Sequence, residues 1–294
     1  MRPMTLSRRS IALLLPFLSA CSPVSVLNAL APRGGIAERR DIAYGEQPRQ
    51  ALDLYMPAGA TAAPVVVFFY GGRWSEGDRS QYRFVGAALA DLGFLCVVPD
   101  YRVFPAARFP AFLQDGAAAI AWTRANIAEH GGDPERISLI GHSAGAHIAT
   151  MLTLDKQWLA GHSLDSDHVL TSTTGLAGPY DFLPLEEPDL EAIFAPAGDL
   201  RLTQPITFSR GGAAPLFLAA GDDDTTVRPA NTRNLAASVR AAGGTVETRF
   251  YRGVGHRLIL GSFAGVLRWY APVLRDVASF LGPPLSQAHW KAPA

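Results

Sequence analysis

The chain holds two cysteines in 294 residues, Cys21 and Cys96. Two are too few for a disulfide framework, and Cys96 lies inside the apolar run Phe94 to Val98, where a buried, inert thiol is expected. An excess of charge of either sign is lacking as well, since 26 Lys and Arg balance 26 Asp and Glu for a net charge of +0. With no basic stripe anywhere in the sequence, a nucleic-acid partner is disfavoured. Long apolar runs are also missing: the N-terminal stretch Ile11 to Leu18 is short and broken by Pro16, which excludes a permanent membrane-spanning helix there. No repeat, low-complexity tract or long linker divides the chain.

The first twenty residues carry the marks of an export signal. Arg2, Arg8 and Arg9 form a positive region, Ile11 to Leu18 an apolar core, and Leu18-Ser19-Ala20-Cys21 a small-residue cleavage site. That tetrapeptide resembles a bacterial lipobox, in which the cysteine is acylated and becomes the mature N-terminus. The expectation is an exported protein of the bacterial cell envelope, in contact with the membrane through a lipid on Cys21. The other reading is a plain cleaved signal, with Cys21 incidental and the protein periplasmic or secreted. Ser7-Arg8-Arg9-Ser10 hints at twin-arginine export but is not followed by the usual Phe-Leu.

With 48% hydrophobic residues the remainder can bury one large core. The order of elements reads as an opening strand pair (41 to 44 and 51 to 56), a buried strand at 64 to 70, a helix at 81 to 92 and a strand at 94 to 99. A long helix at 109 to 129, a strand at 137 to 140, a helix at 144 to 154 and a strand at 173 to 176 follow. The chain closes with a strand at 215 to 220, a helix at 231 to 242, a strand at 245 to 251 and a helix at 263 to 281. Apolar strands joined by helical crossovers predict an α/β fold with a mostly parallel central sheet covered by helices on both faces. Residues 182 to 210, rich in Pro, Asp and Leu, read as a small cap. The expected division is a signal at 1–20, a tether at 21–37, a catalytic domain at 38–283 and a tail at 284–294.

Reactive groups in such a sheet belong at the C-terminal ends of the strands. The strand Ile137 to Ile140 runs directly into Gly141-His142-Ser143-Ala144-Gly145, a nucleophile elbow. The pentapeptide alone is weak evidence in a chain with 28 glycines, but a buried strand before it and a small-residue helix after it supply the required context. No Lys-Ser or Lys-Thr follows the glycines as a phosphate loop requires.

Of seven histidines, His256 follows a strand through the flexible turn Gly253-Val254-Gly255, which places an imidazole at the same sheet edge. His142 and His147 neighbour Ser143 only in sequence: His142 should point away from it, and His147 should pack or hydrogen-bond. His130, His162, His168 and His289 have nothing organised around them. The orienting acid should lie between serine and histidine, where Gly221-Asp222-Asp223-Asp224 offers three carboxylates that spacing alone does not separate. A metal loop there would need a second ligand cluster, and none is evident. After the strand at 64 to 70, Tyr70-Gly71-Gly72-Arg73-Trp74 can turn backbone N–H groups toward a reacting carbonyl, joined by the Ala144 N–H.

These segments, together with Asp100-Tyr101-Arg102, Phe104-Pro105, Gly131-Gly132-Asp133-Pro134 and Gly178-Pro179-Tyr180-Asp181, make the chain resemble the α/β-hydrolase carboxylesterases. The nearest group contains feruloyl-esterase-like enzymes, kynurenine formamidase and isoprenylcysteine methylesterase, and the likeness runs over residues 38 to 281. The resemblance implies that Gly-x-x-Asp-x-x-Val falls on Gly221, Asp224 and Val227, making Asp224 the acid. It also implies that the oxyanion donors are the N–H groups of Gly72, Arg73 and Ala144. Two positions depart from the pattern, Tyr70 in place of histidine and Arg73 in place of Gly or Ala. Asp100, Arg102 and Asp115 are expected to form one partly buried ion-pair cluster beneath the site.

The expected chemistry is hydrolysis of small to medium carboxylic esters by Ser143, His256 and Asp224, without a cofactor or metal. The same triad could instead cleave an amide or formamide, and a non-catalytic hydrolase-like binding protein is the alternative from another class. The expected partner is a small-molecule ester, held in an apolar pocket of Trp74, Phe104, Trp158, Phe182, Leu183, Phe194 and Leu258.

Overall fold

The computed structural model describes residues 23–282. The expected signal peptide, Cys21 with its expected acylation, and the tail from 284 lie outside them. Among the described residues no helix is long and apolar enough to cross a membrane.

Eight strands form one sheet in the order β1-β2-β4-β3-β5-β6-β7-β8. They are β1 (Ile36–Ala43), β2 (Ala51–Pro57), β3 (Ala63–Phe69), β4 (Leu95–Pro99), β5 (Gly132–His142), β6 (Leu170–Leu176), β7 (Leu216–Gly221) and β8 (Val246–Tyr251). Only β2 runs against the other strands, antiparallel to both β1 and β4. The sequence Ala-Pro-Val-Val-Val-Phe-Phe of β3 is buried along its whole length, as expected of a central parallel strand covered on both faces. At the edge, β1 (Ile-Ala-Glu-Arg-Arg-Asp-Ile-Ala) is mostly exposed and charged, a pattern that blocks pairing with another chain.

Helix α1 is Pro23–Ala29, α2 Arg83–Asp91, α3 Ala111–Asn126, α4 Ala144–Leu154, α5 Pro188–Phe194, α6 Ala230–Ala241, α7 His256–Gly261 and α8 Val273–Leu281. Helix α2 packs on β2 and β4, while α4 packs on β3, β5 and β6 and against α3. Every residue of α4 is buried.

Register aligns the strand ends that matter. Phe69 pairs with Gly141, His142 with Leu176, and Gly221 with Tyr251. The segments leaving β3, β5, β7 and β8 therefore emerge at one edge of the sheet.

Three expectations are corrected. The final helix, expected from 263 to 281, is in fact a 3-10 turn at Gly265–Leu267 followed by α8, with the separate helix α7 ending before it begins. The break comes at Pro272, which caps α8 and cannot continue a helix from before it, having no N–H and a ring that clashes with the preceding turn. The stretch expected as a tether, 21–37, is docked where it is described. Asn28 donates to Ser80 O at 2.9 Å and accepts from Phe84 N at 3.1 Å, and Arg83 donates to Pro32 O at 3.0 Å.

The expected cluster of Asp100, Arg102 and Asp115 is in fact two. Arg102 forks onto the fully buried Asp115, with Nη2 to Oδ1 at 2.8 Å and Nε to Oδ2 at 2.9 Å. Asp100 instead pairs with Arg79, which also holds Asp41 and Asp53. Asp100 follows β4 directly and stays beside β2, where Asp53 resides, while Arg102, two residues further on, pairs with Asp115 of α3.

Candidate active site

The turn between β5 and α4 holds Ser143 at φ 55°, ψ −124°, a strained conformation for a residue with a side chain. The flanking glycines are required by close approach. A Cβ on Gly141 would stand 2.2 Å from Gly145 O, and one on Gly145 would stand 2.0 Å from Phe69 O.

The His256 ring lies between serine and carboxylate. Its Nε2 is 2.9 Å from Ser143 Oγ and its Nδ1 is 2.8 Å from Asp224 Oδ2. A carboxylate only accepts, so Nδ1 carries the hydrogen and Nε2 is free to take one from the hydroxyl. The other oxygen of Asp224 accepts the N–H groups of Thr226 at 2.9 Å and Val227 at 2.8 Å, which fixes the carboxylate plane. Asp222 and Asp223 are exposed, whereas Asp224 is buried. Of the three carboxylates left open by spacing, Asp224 is the one that faces the histidine.

The loop after β3 is coiled on itself. Gly72, Arg73 and Trp74 all have positive φ, at 139°, 53° and 57°. The Gly72 carbonyl accepts from Ser75 N at 2.9 Å and Glu76 N at 2.8 Å. Among the described residues the N–H groups of Gly72 and Arg73 find no acceptor, and the Ala144 N–H, first in α4, has none within its helix. Three backbone donors thus remain unengaged at the edge where Ser143 sits.

Tyr70, where the family pattern has histidine, anchors this loop from below. Its hydroxyl donates to Asp100 Oδ1 at 2.6 Å, its ring stacks on Tyr101 and Tyr82, and its carbonyl accepts from Tyr101 OH at 2.8 Å. Arg49, which nothing in the sequence singled out, donates to Tyr70 OH at 2.8 Å, to Gly77 O at 2.7 Å and to Tyr101 O at 2.8 Å. It joins both ends of the loop. Arg73 turns its side chain outward to Glu187.

A cavity of about 390 Å³ opens beside Ser143. Trp74, Phe182 and Leu183 line it, as expected, but Phe104, Trp158, Phe194 and Leu258 do not. Phe194 is fully buried behind Trp74, edge-on at 4.9 Å, and Trp158 packs on Phe109. The expected apolar pocket is in fact mixed, because Thr225, Thr226, Arg228 and Asn231 form one wall and Glu186 and Glu187 part of another. Thr225 and Thr226 are the unspecified positions between Asp224 and Val227 in the acid motif, and Arg228, Asn231, Glu186 and Glu187 lie outside any motif, so the sequence does not mark them as pocket lining.

His147 packs and hydrogen-bonds, as expected. It lies edge-on to Trp74 at 5.1 Å, and its Nε2 is 2.8 Å from Thr203 O, tying α4 to the cap. Burial pushes its pKa down to about 4. His130 stacks on Trp122 and His168 contacts Asp165, both away from the site.

The family model BD-FAE matches residues 52–239. The Isoprenylcysteine alpha-carbonyl methylesterase of Arabidopsis thaliana is 32% identical over 243 residues, 74% of this chain and 56% of that protein. Esterase LipQ of Mycobacterium tuberculosis is 32% identical over 227 residues, 70% of this chain and 54% of that protein. The chain thus spans about half the length of the curated relatives it matches. Among solved structures, an esterase of Thermogutta terrifontis superposes with a TM-score of 0.69 at 25% identity, covering 88% of this chain and 97% of that one. A carbohydrate esterase from gut microbiota shares the fold with a TM-score of 0.75 at 21% identity, covering 85% and 97% of the two chains. By sequence and by sheet topology, the chain belongs to the BD-FAE family and has the α/β-hydrolase fold.

Proposed function

We propose that the protein is a serine hydrolase that cleaves small to medium carboxylic esters through an acyl-enzyme. The observation that carries this reading is the hydrogen-bonded line from Ser143 Oγ through His256 to Asp224. Ser143 Oγ attacks the ester carbonyl while His256 Nε2 takes its proton, and Asp224 stabilises the imidazolium without itself being protonated. The N–H groups of Gly72, Arg73 and Ala144 hold the oxyanion. Donors of this kind are worth about 3 kcal/mol each in a transition state. Collapse expels the alcohol, which takes the proton from His256; a water then attacks the acyl group by the same route and regenerates Ser143.

Relatives named methylesterase and esterase support the ester class. A cavity of about 390 Å³ fits a short or aromatic ester better than a long triglyceride. The test is turnover across an acyl-chain and alcohol series with the wild-type chain and Ser143→Ala. The serine variant should lose about 10⁴-fold or more in kcat, and wild-type turnover by the variant overturns the reading.

Export with acylation at Cys21 is a separate part of the proposal, supported by the sequence pattern of residues 2 to 21 alone. Metabolic labelling with an alkynyl fatty acid should mark the wild-type chain and not Cys21→Ser.

A further inference from the structure

His142 is the variable residue of the elbow, and the acyl-transfer scheme above gives it no task. It is nevertheless buried at the centre of the site. Its Nε2 lies 2.9 Å from the backbone oxygen of His256, and the two rings are 4.9 Å apart between centroids. On its other side Nδ1 lies 3.0 Å from where a Cβ on Gly71 would stand, so the ring touches the loop that carries Gly72 and Arg73. A carbonyl can only accept, so Nε2 bears the hydrogen and Nδ1 is bare.

We propose that His142 is a positioning residue: its Nε2–H holds the His256 carbonyl, and its ring, wedged against Gly71, sets the spacing between the histidine loop and the oxyanion loop. The proposal rests on the serine-hydrolase reading. Among the described residues, His256 and Asp224 are the charged or titratable groups that act on the ring. Burial, and then the neighbouring His256, push its pKa down to about 3, outweighing the opposite pull of the His256 carbonyl and Asp224. His142 therefore stays neutral while His256 cycles through its imidazolium, and no second positive charge forms beside it. A neutral donor fixed to the backbone of residue 256 restrains the ring that must reach Ser143, and a displacement of about 1 Å in such a group costs on the order of 100-fold in rate.

The experiment compares His142→Leu, which keeps volume and loses the donor, with His142→Gln, which retains a neutral N–H donor. Turnover of 4-nitrophenyl acetate, the pH–rate profile and the melting temperature are measured for both. His142→Leu should lower kcat at least about tenfold with KM nearly unchanged, while His142→Gln stays within about threefold of wild type. Neither should move the acid limb of the profile, because residue 142 does not titrate there. Nitrogen-15 NMR of the unsubstituted chain should show His142 as the neutral Nε2–H tautomer from pH 8 to pH 5, and this reading does not depend on either variant folding. The inference is overturned by a leucine variant as fast as wild type, by a glutamine variant as slow as leucine at equal melting temperature, or by a His142 midpoint near that of a free histidine. A wild-type chain that a fluorophosphonate fails to label at Ser143 removes the parent reading instead, and this inference with it.

Discussion

Arg73 grips Glu187 across the mouth of the cavity, Nη2 to Oε2 at 2.5 Å, and so ties the loop after β3 to the N-cap of helix α5. Both side chains are about half exposed, at 46% and 54%. Exposed pairs of this kind contribute about 1 kcal/mol or less, so the pair acts on the shape of the cavity more than on the stability of the fold. Glu187→Gln should leave urea unfolding within about 1 kcal/mol of wild type while changing KM for bulky esters more than kcat. An equal loss of kcat for every ester would show that the pair acts on the reacting atoms instead.

Arg79 is the opposite case. It holds the buried carboxylates of Asp53 and Asp100 together with the exposed Asp41. Among the described residues, removing the cation leaves the buried Asp53 with no ion-pair partner and Asp100 with Arg49 at 3.9 Å and the Tyr70 hydroxyl, so Arg79→Met should cost about 3–5 kcal/mol in denaturant unfolding. A shift below about 1 kcal/mol would mean that solvent reaches those carboxylates.

The strand ends hold a steric requirement that couples Asp224 to His256. A Cβ on Gly221 would stand 1.9 Å from Val254 O, the backbone just before the histidine turn. Gly221→Ala must push that loop away, carrying His256 from Ser143. The expected result is a fall of about 100-fold in kcat with the fold retained by circular dichroism, and unchanged kcat would contradict it.

What was legible in the sequence was local. The elbow, the small helix behind it and the glycine loop each announce themselves within a few residues, because tight turns need particular residue types at fixed offsets. The serine–acid–histidine order carried the rest, and family resemblance chose Asp224 among three neighbours. What was missed depends on groups far apart in the chain: Arg49 beneath Tyr70, Arg79 as the partner of Asp100, and Glu187 as the partner of Arg73. No spacing rule links residues 114 positions apart. The broken final helix was a local error, since Pro272 was there to be read.

Two buried histidines contribute to the loss of stability in acid, beside carboxylates such as Glu38 and Asp167 that are held below their ordinary range. Both have folded pKa values below the ordinary 6.5, His147 near 4 and His142 near 3, with burial the main cause. The unfolded chain therefore binds more protons than the native one below about pH 6.5, and stability is lost as pH falls from there toward 4 and then 3. Each histidine can contribute a slope of up to about 1.4 kcal/mol per pH unit in that window. Urea unfolding from pH 7 to pH 4 should show the decline, and His147→Phe should make it shallower. An unchanged slope in that variant would mean that His147 is protonated in the native state.

On the proposed reading, Ser143 is a nucleophile activated by His256. Labelling the wild-type chain with a fluorophosphonate, and locating the adduct by peptide mass spectrometry, tests it most directly. One adduct per chain is expected, on Ser143, abolished in Ser143→Ala and strongly slowed in His256→Ala. An unlabelled Ser143 in the folded protein, or labelling that persists at full rate in His256→Ala, would contradict it.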